Sequence, residues 1–174
     1  MDSRPRLHTM KFKSRYSICI ILLLVTLVAI GLTRVVSEFR NSRSEHAIAM
    51  NLQKHGARIQ FVKHPIPGFP PLVIAVSLEN RELLPSQLAS MGRLSTLTSL
   101  SLNGSVLSDR CIDELRQFDR VNFLYLCDTN LTDKDLRRLA ILPRIMAIHV
   151  SGTTVSSECA IEFMEQVGAF VYLE

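Results

Sequence analysis

The chain has 174 residues, of which 47% are hydrophobic and 21% are charged, a composition typical of a folded domain and not of a disordered chain. Its formal net charge is +4, but the whole excess lies in the first sixteen residues, with five basic side chains and one acidic one. The remaining residues carry fifteen basic and fifteen acidic side chains. This balance argues against nucleic acid as a partner.

An apolar segment follows the basic N-terminal arm, residues 1–16. The basic side chains of the arm are Arg4, Arg6, Lys11, Lys13 and Arg15. No charge occurs from Ile18 to Leu32, and the stretch from Tyr16 to Val36, with Arg34 reaching toward the headgroups, has 21 residues. Basic residues before such a stretch favour a cytoplasmic N-terminus. We predict a single signal-anchor transmembrane helix over residues 17–36, with the rest of the chain periplasmic or extracellular and the lipid bilayer as a partner.

Two other interpretations of this segment stay open. Ala29-Ile30-Gly31 has small residues at offsets suited to signal-peptidase cleavage, and a buried core helix would also be apolar. A lipoprotein-type anchor is not supported, because Cys19 lies at the start of the apolar run and does not follow it.

The next region, residues 37–72, is predicted to contain a helix, a strand and a connector. Helix-forming residues lead to Gly56, which is placed where a helix would end. The apolar contacts of this helix are expected to be Phe39, Ile48 and Leu52. Residues 57–62 alternate between apolar and polar side chains, as in a short strand, and residues 64–71 contain four prolines, as in an extended connector.

From Val73 onward, apolar residues recur every 24 residues without an insertion. The reference copy has Leu97, Leu100, Leu102, Leu107, Ile112, Leu115 and Phe118. Four copies are present, and the match fades only at Gln166 in the last one. Each copy begins with a strand-like alternation and continues with an i, i+3, i+6 spacing typical of two to three helical turns. Such small units bury their apolar faces only against one another, which predicts an α/β stack with parallel strands.

The spacing Leu97-x-x-Leu100-x-Leu102-x-x-Ser105-x-Leu107 resembles the leucine-rich repeat signature. The usual Asn or Cys is replaced in the four copies by Arg81, Ser105, Thr129 and Thr153. Residues 124–133 are similar to the short ribonuclease-inhibitor-like repeats of bacterial, planctomycete-type membrane-anchored proteins. The resemblance covers residues 73–174 and implies a short leucine-rich-repeat solenoid, with strands on the concave face and helices on the convex face. Residues 37–72 would then form its N-terminal cap, or alternatively a flexible stalk.

Helix starts are marked at the same 24-residue spacing. Side-chain oxygens that can cap a helix occur in Ser108-Asp109, Thr132-Asp133 and Ser156-Ser157. The first copy has Pro85 instead, which suits the first position of a helix.

Residues 169–173 predict one more strand after the four copies. Val171 and Leu173 match Ile148 and Val150 with a period of 23, so either the register slips by one residue or Tyr172 takes the inward place. Such a strand would be an open edge, available to a partner or to a second copy, so a homo-oligomer is also expected.

Neither a disulfide scaffold nor a catalytic site is predicted. With Cys19 in the apolar segment, Cys111, Cys127 and Cys159 form an odd set without metal-ligand spacing, and we expect free thiols. Solvated helix faces and caps explain the acid pairs Asp113-Glu114, Asp133 with Asp135, and Glu162 with Glu165. The sequence has no G-x-S-x-G, H-E-x-x-H or Gly-rich phosphate loop. We therefore expect a protein that is not an enzyme and that needs no metal and no cofactor.

The outward positions of the predicted strands supply a candidate binding surface. These positions are Ala75, Ser77, Glu79, Ser99, Ser101, Asn103, Phe123, Tyr125, Cys127, Ala147, His149 and Ser151. Phe123, Tyr125 and His149 should cluster on adjacent strands, with Asn103 and Glu79 beyond them. Aromatic residues with a polar tip are common interface anchors, so these five residues are predicted to bind protein. The alternative is a surface without a specific ligand, with His149 in a packing or surface role.

Two functions from different classes follow. The first is a membrane-anchored, non-catalytic module that binds an unidentified protein. The second is a structural envelope protein that self-associates through its repeats. A third resemblance, to the repeats of ubiquitin-ligase substrate receptors, is disfavoured by the apolar N-terminal segment.

Overall fold

The computed structural model describes the backbone of residues 10–173 and the side chains of residues 18 and 20–173. The basic side chains of the N-terminal arm and the side chain of Cys19 therefore lie outside the described part. The chain divides into two compact units, residues 1–41 and residues 42–174.

The described residues form an α/β arrangement of five helices and one six-stranded, mostly parallel sheet. In chain order the elements are α1 (Met10–Lys54), β1 (Arg58–Val62), β2 (Leu72–Ser77), α2 (Pro85–Met91), β3 (Ser99–Ser101), α3 (Asp109–Leu115), β4 (Phe123–Tyr125), α4 (Asp133–Leu139), β5 (Ala147–His149), α5 (Ser157–Val167) and β6 (Phe170–Tyr172).

The first unit consists of the N-terminal part of α1. Large apolar side chains from Ile20 to Val36 are exposed, as they would be on a helix surrounded by lipid. By length and composition, the helix from Ile20 to Lys54 is able to cross a membrane. One long apolar helix is thus present near the N-terminus. It continues without a break past residue 36, because no Gly or Pro occurs between Gly31 and Gly56.

The sheet of the second unit has the strand order β1-β2-β3-β4-β5-β6. β1 is antiparallel to β2, and the other pairs are parallel. Buried residues at paired positions run across four strands; they are Val76, Leu100, Leu124 and Ile148. The register predicted from the 24-residue spacing is confirmed for these strands. Each such side chain contributes about 1.5–3 kcal/mol by leaving water.

The last strand departs from that spacing. Ile148 pairs with Val171, 23 positions later, so the predicted one-residue slip is the alternative that is confirmed. The cause lies in α5, which has 11 residues where α2, α3 and α4 have 7 each. It ends at Gly168, whose left-handed backbone (φ 75°) turns the chain almost directly into β6.

The short helices begin where the caps predict and bury one face each. The Oγ atoms of Ser108, Thr132 and Ser156 accept hydrogen bonds from backbone amides three residues later. Pro85 is the first residue of α2, as expected. Buried helix residues include Leu88, Met91, Ile112, Leu115, Leu136, Leu139, Ala160 and Phe163.

Backbone hydrogen bonds join each strand end to the following strand. The pairs, all at 2.8 Å, are Leu78 N–H to Ser101 C=O, Leu102 N–H to Tyr125 C=O, Leu126 N–H to His149 C=O, and Val150 N–H to Tyr172 C=O. The hydroxyls that replace the usual Asn or Cys also bond to backbone, as expected. Ser105 donates to Leu78 C=O (3.1 Å), Thr129 to Leu126 C=O (2.7 Å) and Thr153 to Val150 C=O (2.6 Å).

Residues at the C-terminal end of α1 belong to the second unit and pack into its core. Ala49 and Leu52 are buried there, and Ile48 is partly buried against them. The carboxylate of Glu45, itself only 7% exposed, accepts a hydrogen bond of 3.1 Å from the backbone N–H of Ser95. β1 then pairs along β2, so residues 42–62 are tied to the sheet at several points.

Two turns combine left-handed residues from neighbouring segments. Gly104 and Gly152 have φ values of 66° and 68°, while Asn80 and Asp128, 24 residues before each, have φ values of 54° and 56°. The side-chain oxygens of Asn80 and Asp128 occupy the space that a Cβ on the following Gly would need. Glycine is therefore required at both positions.

Candidate protein-binding face

Two rows of outward-facing residues cross the sheet at paired positions. The first row is Ala75, Ser99, Phe123, Ala147 and Phe170, and the second is Ser77, Ser101, Tyr125, His149 and Tyr172. Because side chains alternate along a strand, both rows lie on the side of the sheet opposite to the buried leucines. We call this surface the outward face.

Three rings of the second row form a continuous stack. The ring centroids of Tyr125 and His149 are 4.7 Å apart with an angle of 16° between the planes. Those of His149 and Tyr172 are 4.3 Å apart with an angle of 10°. The prediction that Tyr125 and His149 lie together is confirmed, and His149 has a packing role within the stack. Each aromatic pair contributes about 0.5–1.5 kcal/mol beyond its area burial.

Exposed phenyl rings lie beside the stack in the first row. Phe123 is 40% exposed and Phe170 is 66% exposed. Ala147 was expected to contribute to this surface, but it is only 7% exposed. The reason is its place between Phe123 and Phe170 in the row, where a methyl group is shorter than the rings on both sides. The apolar part of the outward face is thus made of rings.

Polar residues occupy the other half of the outward face. The carboxylate of Glu79 accepts hydrogen bonds from the hydroxyls of Ser77 (2.7 Å) and Ser101 (3.1 Å). These two hydrogen bonds hold the pKa of Glu79 below its ordinary value, and the charge of Arg58 lowers it further. Glu79 is therefore ionised at neutral pH and bonded to serines instead of contacting the rings.

Asn103 has a structural role at the end of β3. Its side-chain oxygen accepts from Cys127 N–H (2.9 Å), and its backbone C=O accepts from Asn80 N–H (2.9 Å). Of the five predicted residues, the structure thus brings Phe123, Tyr125 and His149 together. Glu79 lies in the polar half, and Asn103 holds two turns in place.

Sequence reasoning missed Phe170 and Tyr172 as members of the face. A signal was present, because Phe170-Val171-Tyr172 repeats the Phe-x-Tyr pattern of Phe123-Leu124-Tyr125. Aligning these two triplets gives the pairing seen in the sheet, with His149 between the two tyrosines.

The acid pairs and thiols have structural partners. Asp133 accepts from Ser156 N–H (2.7 Å) and Oγ–H (2.8 Å), Asp113 pairs with Arg138 (2.5 Å) and Glu162 pairs with Arg137 (2.9 Å). Cys111 and Cys159 are buried and Cys127 is half-buried; all three are free. In the part of the chain that the structure describes, no three His, Cys, Asp or Glu side chains come close enough to hold a metal ion.

Comparison with known proteins gives no matching family model and no matching curated protein.

Proposed function

We propose that this chain is a membrane-anchored leucine-rich-repeat protein that binds another protein, without catalysis, through the outward face. The observation that carries the proposal is the stack of Tyr125, His149 and Tyr172, flanked by the exposed rings of Phe123 and Phe170. Rigid aromatic side chains with polar tips bind at low entropic cost and are frequent hot spots of interfaces.

The repeat assignment is supported by the recurrence of the same contacts every 24 residues. Val76, Leu100, Leu124 and Ile148 are paired in register, and the strand-end hydrogen bonds recur at the same spacing. This is the arrangement that a solenoid of short units needs, since each unit buries the next. Residues 42–62, packed on the first of these strands, would serve as its N-terminal cap.

The anchor is supported by the exposed apolar helix and by the charge distribution. The apolar stretch of α1 is long enough for one bilayer crossing. Five basic side chains precede it, which favours a cytoplasmic N-terminus and places the sheet on the periplasmic or extracellular side.

The size of the face limits the affinity of such binding. Six strands about 4.8 Å apart, with three residues each, make a surface of a few hundred Å², roughly. A standard interface takes about 800 Å² from each partner. We infer weak binding by a single copy, strengthened where several anchored copies face the same partner.

Photo-crosslinking in native membranes tests the proposal. A benzophenone amino acid at Ser99, which lies beside Phe123 on the face, should yield a crosslinked protein adduct. The same group at Lys134, exposed on α4, serves as the control and should not. The double change Phe123→Ala and Tyr125→Ala should abolish the Ser99 adduct while the circular dichroism spectrum stays unchanged. An undiminished adduct in this variant would contradict the proposal.

A further inference from the structure

The outer edge of β6 presents unused backbone hydrogen-bonding groups. Within the described residues, β6 is the last strand of the sheet and pairs only with β5. Phe170 N–H donates to Met146 C=O and Tyr172 C=O accepts from Val150 N–H, each at 2.8 Å. In a parallel ladder, alternate residues direct both backbone groups to the same neighbour. The N–H and C=O of Val171 therefore point away from β5, at the open edge.

The side chains around this edge are apolar and uncharged. Residues 167–173 contain no charged side chain, whereas the opposite edge of the sheet begins with Arg58 and is followed by Lys63. Phe170 and Tyr172 are 66% and 46% exposed. Charged residues on an edge strand are the usual protection against pairing with another chain, and the β6 edge lacks them.

We propose that the β6 edge pairs antiparallel with β6 of a second copy, about a two-fold axis at Val171. The two Val171 residues then exchange both of their free backbone groups, as a hydrogen-bonded antiparallel pair does. Phe170 of each copy lies directly opposite Tyr172 of the other. The six-stranded sheets of the two copies become one continuous sheet.

Self-complementarity is the reason for choosing a second copy as the occupant. Phe170 and Tyr172 lie on the same side of β6, and the two-fold axis exchanges them, so the most exposed rings of both copies cover each other. The absence of charge in residues 167–173 removes the like-charge repulsion that two identical edges would otherwise have. The pairing uses a surface other than the stack of Tyr125 and His149 and goes beyond the proposed function.

A ladder of three residues is short, so the pairing depends on a high local concentration. Two chains held in one bilayer by α1 meet at a far higher effective concentration than they would free in solution. We therefore expect dimers in membranes and monomers in dilute detergent solution.

Directed disulfide crosslinking tests the register. Chains carrying Phe170→Cys and chains carrying Tyr172→Cys, both also with Cys19→Ser and Cys127→Ser, are reconstituted together in lipid vesicles and oxidised. Opposed residues of an antiparallel pair lie within disulfide reach, so the mixture should give a crosslinked dimer. Vesicles with either variant alone should give at least several-fold less, because identical positions lie diagonally apart. Equal crosslinking in all three samples, or none in the mixture, would overturn the proposal.

A proline at the axis separates the edge from the rest of the fold. Val171→Pro removes the outward N–H but spares the hydrogen bonds of Phe170 and Tyr172 to β5. Because two symmetry-related hydrogen bonds are lost, dimerisation measured by fluorescence energy transfer in vesicles should weaken roughly tenfold. Val171→Ala, which keeps the N–H, is the matched control and should dimerise normally. Equal dimerisation of the two variants would refute the edge pairing, and the Ser99 adduct reports on the proposed function separately.

Discussion

The imidazole of His149 stacks on the phenol ring of Tyr172, with 4.3 Å between the ring centroids and 10° between the planes. The two residues are paired neighbours on β5 and β6, although they lie 23 positions apart and the other paired residues of the parallel strands lie 24 apart. With a spacing of 24, His149 would pair with Leu173 instead. The early end of α5 at Gly168 therefore determines that the stack has three rings.

Replacing Gly104 by Ala should destabilise the fold more than its backbone angle alone explains. An L side chain at φ 66° costs about 1–2 kcal/mol, and the new Cβ would also collide with the side-chain oxygen of Asn80. Gly168→Ala is the matched control, since φ there is 75° but nothing lies within 4 Å of the added Cβ. The free energies of unfolding are compared by urea denaturation of the full chain in detergent micelles. In an Asn80→Gly background the extra cost of Gly104→Ala should disappear, and an unchanged cost would show that the two turns are independent.

Glu45→Ala should loosen the attachment of residues 42–54 to the sheet. The variant leaves the buried N–H of Ser95 without its acceptor, at a cost of about 1–3 kcal/mol in the free energy of unfolding. Glu45→Gln keeps an oxygen that can accept this hydrogen bond and should lose less. Hydrogen exchange at the Ser95 amide, followed by mass spectrometry, should accelerate in the Ala variant. Exchange equal to that of the unaltered chain would show that the contact does not stabilise the cap.

Stability should fall in acid partly because of Asp133. Hydrogen bonds from the backbone and hydroxyl of Ser156 lower the pKa of Asp133, and the charge of Arg137 also lowers it. A folded-state pKa below the unfolded value stabilises the fold above the unfolded pKa, about 3.9 for Asp, and this contribution is lost as the pH falls through the folded pKa. Asp133→Asn should therefore flatten the decline of the urea midpoint below about pH 4. Asp119→Asn, at an exposed position, is the control; a decline equally steep in both variants would exclude Asp133 as the cause.

The three described thiols should react in a fixed order. Cys127 is half-buried on the outward face and should be the first to be alkylated, while Cys111 and Cys159 are buried. Burial raises the pKa of Cys159, and the nearby charge of Asp133 raises it further, so little reactive thiolate is present at neutral pH. Mass spectrometry after brief maleimide treatment, with and without urea, measures the order. Equally fast labelling of Cys159 and Cys127 in the folded chain would contradict this arrangement of the core.

Much of the second unit was predictable because its spacing carries structural information. Leu100, Leu124 and Ile148 occupy one line across the sheet, as the 24-residue period requires, and Ser108 and Thr132 cap helices where the pattern places them. These features depend on neighbours that recur in sequence. They follow from local periodicity and packing, which one sequence displays directly.

Features that depend on a single exception could not be derived in the same way. The register of β6 follows from the extra length of α5, and Tyr172 was therefore left with two alternatives. The burial of Ala147 depends on Phe170 beside it, which becomes evident only once that register is known. Glu45 was missed because a charged residue in a helix is usually solvent-exposed, and nothing near it in sequence indicates its partner Ser95, 50 residues away.

The stack also has an optical consequence. The chain contains no tryptophan and three tyrosines, Tyr16, Tyr125 and Tyr172, and the last two enclose His149. Ultraviolet emission from this protein thus originates mainly at the very surface offered to a ligand. A molecule that settles there, or a disturbance that separates the rings, changes the surroundings of two of the three fluorophores, so the unlabelled chain can report its own occupancy.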